Sequence, residues 1–66
     1  MSRHQNDLLW LSDVLEHLSE CRKQLDWAED GPSIQVLTES MLRDLESCRR
    51  ICETLQHRAT RMASVA

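Results

Sequence analysis

Only one stretch of this sequence, Asp30-Gly31-Pro32-Ser33, carries strong breaking residues, and it decides the architecture. Glycine can take the left-handed conformation that closes a helix, and proline cannot continue one. The chain is therefore expected to consist of two regular segments joined by a single turn.

Both segments carry a helical period. In the first, Leu11, Val14, Leu18, Cys21, Leu25 and Ala28 step alternately by three and four, the seam spacing of a packed helix and not of a strand. In the second, Ile34, Thr38, Met41, Leu45, Cys48, Cys52, Leu55, Ala59 and Met62 continue the same alternation. Ser2 with Gln5 offers a capping box for the first helix, Asn6 competes with it, and Ser33 reads as the cap of the second. The expected boundaries are about 5–30 for helix 1, 30–33 for the turn and about 33–62 for helix 2, with residues 63–66 fraying. A turn this short forces the helices antiparallel.

Folding about the turn places residue i near residue 63 or 64 minus i, so Leu18 is expected by Leu45, Val14 by Cys48 and Leu11 by Cys52. Charges match in the same register: Asp7 with Arg58, Asp13 with Arg49 and Arg50, and Glu20 with Arg43. Such surface pairs are worth about 0–1 kcal/mol each and orient the helices more than they stabilise them.

Size and width together predict self-association. A chain of 66 residues forms a single core, and cores of this size supply no more than about 3–5 kcal/mol without a staple. Beyond the seam, Leu8, Leu15 and Leu42 lie on one side and Trp10, Leu37 and Ile51 on the other. A lone hairpin buries one narrow stripe per helix, whereas each helix of a four-helix bundle presents a wider face to two neighbours. The expected fold is all-α, an antiparallel helical hairpin that dimerises into a four-helix bundle, with Leu8, Trp10, Leu15, Leu37, Leu42 and Ile51 at the interface.

Several chemistries are weighed and set aside. Three cysteines do not make a disulfide framework, and Cys48 and Cys52 on one helix face stand about 5–6 Å apart at Cβ, too far for the bond. His17 with Cys21 repeats their spacing of four, but the two pairs are offset by about 7.5 Å along the axis, which zinc bonds do not tolerate. No metal or other cofactor is expected. Asp13 with His17 and Glu53 with His57 are spaced to orient a general base, yet no nucleophile or pocket accompanies them, and they read as solvated pairs. No enzyme activity is expected.

The net charge of −3 and pI near 5.5 disfavour a nucleic-acid or anionic-lipid partner, although residues 43–66 alone carry +2 against −5 for the rest. Trp27 lies off the seam, four residues after Lys23, either covering that lysine's stem or anchoring a partner. Trp27, Arg49, Arg50 and Arg58 are the partner-binding candidates. The longest apolar run, Leu8 to Leu11, is too short for a signal peptide or a membrane span, and with unpaired cysteines this points to a reduced, cytoplasmic setting. The expected function is a self-associating interaction or scaffold module that forms a homodimer and contacts other proteins. A hairpin dimer that contacts RNA or DNA through helix 2 arginines ranks second, and thiol metal binding through Cys48 and Cys52 third.

Overall fold

A computed structural model describes the backbone of residues 4–65 and the side chains of residues 4–61. Two helices pack against each other as a hairpin: α1, Gln5–Trp27, and α2, Gly31–Val65. The capping box at Ser2 and the seam position Met62 lie outside the described residues. α1 begins after His4 without a side-chain cap, and Asp7 in its first turn faces the positive end of the helix dipole.

The turn works differently from the expected glycine stop. α1 ends at Trp27, where Ala28 goes extended (φ −75°, ψ 125°) and its N–H still reaches Leu25 O at 3.2 Å. Gly31 has a negative φ and already belongs to α2, and a Cβ added there would meet nothing within 4 Å. Asp30, not Ser33, is the cap: its Oδ2 accepts from the Ser33 N–H at 2.9 Å, and its carbonyl accepts from Ile34 N–H. Pro32 then sits in the first turn, where its missing N–H costs nothing because that donor has no helical partner. The Asp-Gly-Pro-Ser string thus starts the second helix and does not stop the first.

Among the described residues only Val14, Cys21 and Ile51 are buried. α1 turns inward the stripe its spacing lays out, from Leu11 through Val14, Leu18 and Cys21 to Leu25 and Ala28, each half-buried or buried. α2 is rotated. Its inward stripe runs through Leu37, Met41, Asp44, Cys48, Ile51, Leu55 and Arg58, while Ile34, Leu45, Cys52 and Ala59 are left exposed. Ile51, expected on the flank of a dimer interface, is instead the most deeply buried side chain, at 2% exposure inside the hairpin. Leu37 is half-buried against α1 in the same way.

Ion pairs accompany the rotation. Asp44, Ile51 and Arg58 follow one another at intervals of seven, so they share one stripe of α2. His17 holds the first of them and Asp7 the last, so Ile51 between them is turned into the core.

The result is thin and long. The extents are 54 × 20 × 12 Å, and the radius of gyration is 15.8 Å against about 11 Å for a compact domain of this length. The long axis is that of α2, whose 35 residues span about 52 Å.

Candidate functional site

Asp7, at the start of α1, pairs with Arg58 at 2.7 Å between Oδ2 and Nη1, the cross-helix pair that the charge pattern predicts. Arg58 also lies 3.1 Å from His4 Nδ1, so both ends of the first α1 turn are tied to one guanidinium. Arg49 and Arg50, expected opposite Asp13, pair within α2 instead. Arg49 is held within α2 between Glu46 and Glu53, and Arg50 reaches Glu46 at 3.4 Å. The Arg49 hydrogen bond holds the Glu46 carboxyl below the usual carboxylate range, and Glu46 in turn raises the Arg49 guanidinium. Of the arginines singled out for a partner, Arg49, Arg50 and Arg58 therefore all have acidic neighbours already.

Midway along the hairpin a polar cluster crosses the seam. His17 Nδ1 lies 2.5 Å from Asp44 Oδ2, with the imidazole 55% exposed and the carboxylate 16% exposed. One turn on, Cys21 is 6% exposed, and its Sγ is 3.9 Å from both ring nitrogens of His17. The Cys21 thiol donates to Ser40 Oγ at 3.9 Å. One potential ligand atom from each of His17, Cys21 and Asp44 lies within 4.8 Å of the other two. The sequence pattern pairs His17 with Asp13 on its own helix. The structure brings His17 to Asp44 and Cys21 to Ser40 instead. All three cysteines are free; Cys48 is half-buried, one turn after Asp44 on the same stripe, and Cys52 is exposed.

The apolar candidates fall on different sides of the hairpin. At 100° per residue, Leu8 and Leu15 of α1 and Leu45 and Cys52 of α2 flank the seam on one side, while Leu42, expected at the interface, lies toward the outer face of α2. All five are exposed. Trp10 flanks the opposite side with His17, and it too is exposed. Trp27, the last residue of α1, is 86% exposed, so little of its indole rests on any neighbour, the stem of Lys23 included. It borders an open groove with Gln24, Ala28, Asp30, Ser33 and Leu37. Within the described residues no helix is long and apolar enough to cross a membrane. No protein-family model, curated protein or solved structure matches the chain.

Proposed function

We propose that this hairpin is a non-enzymatic, self-associating scaffold or interaction module of the cytoplasm, two copies of which join face to face in a four-helix bundle. The observation that carries this reading is surface left uncovered. The chain exposes 5521 Å², whereas a compact monomer of 7.7 kDa exposes about 4,300 Å². The excess, about 1,200 Å², is more than the roughly 800 Å² per partner that a standard interface removes from water. Dimensions agree, since a globule of twice the length has a radius of gyration of about 14 Å, near the 15.8 Å of this single hairpin.

The face that meets the second copy is the flank with Leu8 and Leu15 on α1 and Leu45 and Cys52 on α2. These residues are apolar, lie side by side on two rigid helices and are already exposed, so docking needs no rearrangement of the core. With α2 rotated, Ile51 and Leu37 are taken up by the hairpin seam, and Leu45 and Cys52 are exposed beside Leu8 and Leu15. Arginines neutralised by Glu46, Glu53 and Asp7 weaken a field for phosphate and favour a protein partner over nucleic acid. Trp27 stands clear of the face as an anchor for a further protein.

Thermal unfolding tests the reading, because a dimer that is more stable than its parts melts at a temperature that rises with concentration. The expected outcome is a melting temperature that climbs between about 5 and 500 μM chain, and a constant one contradicts dimerisation.

A further inference from the structure

From the cluster that joins the two helices at mid-length, we infer that His17, Cys21 and Asp44 form a site for a divalent transition metal of the zinc class, a role independent of self-association. The donor set is an imidazole, a thiol and a carboxylate, drawn from both helices. A sulfur and a nitrogen ligand select zinc, cobalt or copper over magnesium or calcium, which take oxygen alone.

Geometry fits after a small adjustment. Tetrahedral bonds of about 2.0–2.3 Å set neighbouring ligand atoms about 3.3–3.7 Å apart. The 3.9 Å from Cys21 Sγ to either His17 nitrogen is already near that range. The 2.5 Å contact of His17 Nδ1 with Asp44 Oδ2 opens by about 1 Å to admit the ion, which a turn of the 55% exposed imidazole allows. Three protein ligands leave a fourth position for a water, as in other zinc sites with three protein ligands. On binding, the Cys21 thiol loses its proton to solvent as the sulfur–metal bond forms, and the Ser40 hydroxyl turns to donate to the thiolate.

The site answers a structural need. With only Val14, Cys21 and Ile51 buried among the described residues, the hairpin core is small, and a metal bridging α1 to α2 couples its binding free energy to folding. This differs from the thiol site weighed on Cys48 and Cys52, since neither of them belongs to the cluster.

Cobalt(II) is the probe. The reduced, metal-free chain is titrated with Co²⁺ and watched for thiolate-to-cobalt absorption in the near ultraviolet and for tetrahedral d–d bands, followed by displacement with Zn²⁺. The expected result is saturation at one equivalent per chain, with loss of the absorption in Cys21→Ser and its retention in the double variant Cys48→Ser/Cys52→Ser. His17→Gln, at a half-exposed position, leaves the fold intact by circular dichroism and weakens binding by at least about 100-fold. The proposal is overturned if no thiolate band develops, if the band survives Cys21→Ser, or if His17→Gln leaves the affinity unchanged. Cobalt uptake that persists in a monomeric Leu15→Glu/Leu45→Glu variant supports the site whatever becomes of the dimer.

Discussion

The two flanks of this hairpin solve the same problem in opposite ways. On one, His17, Cys21, Ser40 and Asp44 meet across the seam, and each polar group finds its partner within the chain. On the other, Leu8, Leu15, Leu45 and Cys52 face outward with apolar surface that two helices do not cover. The polar contacts of one flank go with the rotation of α2, and that rotation decides which apolar residues are left uncovered. Internal satisfaction on one side thus creates the demand on the other.

Substitutions along the two flanks and between them break or sharpen this contrast. The largest effect is expected at the centre, where Ile51→Ala removes the most buried side chain. Large-to-small changes of this kind cost about 2–5 kcal/mol, comparable with everything a core of this size supplies. Loss of most helical circular dichroism at 25 °C is the expected outcome, and a cooperative melt like that of the parent chain contradicts the assigned core.

Next comes the apolar flank. Leu15→Glu with Leu45→Glu places two charges on the proposed interface but outside the hairpin seam, so the expected product is a folded monomer with a melting temperature independent of concentration. Equilibrium sedimentation with circular dichroism checks both halves, and a folded dimer carrying both glutamates removes this face from the account. On the polar flank, Asp44→Asn keeps the shape but removes the charge facing His17, with an expected loss of about 1–3 kcal/mol in chemical denaturation. An unchanged stability there means that the pair does not set the rotation of α2.

Two smaller effects lie away from both flanks. The Ser33 backbone N–H, and then its side chain, hold the Asp30 carboxyl below its ordinary value. A carboxyl with a depressed folded pKa contributes stability above its unfolded pKa of about 3.9 and loses it as pH falls through the folded value. Acidification through that window therefore frays the start of α2, and Asp30→Ala lowers the melting temperature by several degrees at neutral pH while abolishing that part of the acid dependence. A pH profile identical in parent and variant rejects the cap. Smallest of all is Arg49→Ala: its partners Glu46 and Glu53 are solvent-exposed on the same helix, so no measurable change in melting temperature is expected.

What the sequence made legible follows from which interactions leave a periodic trace. The stripe of α1 is apolar throughout, so its spacing and its burial coincide from Leu11 to Ala28. The Asp7–Arg58 pair was readable because register alone brings those charges together. The stripe of α2 was not, since Asp44 and Arg58 occupy seam positions that hydrophobic periodicity reads as solvent-facing. Periodicity therefore centred the seam on Leu45 and Cys52 and put Ile51 on the flank. The contact of His17 with Asp44 depends on that same rotation. Taken through the turn, the sequence register sets Glu46 or Ser47 opposite His17, so it did not point to Asp44. At Asp30-Gly31-Pro32-Ser33 both Asp and Ser are cap-forming types, and only the backbone path through extended Ala28 distinguishes them.

Equilibrium sedimentation of the parent chain at tens of micromolar reads the number of copies outright. A mass of twice 7.7 kDa is expected. A single species at 7.7 kDa across the whole concentration range contradicts it, because the apolar flank would then stand in water with nothing to cover it.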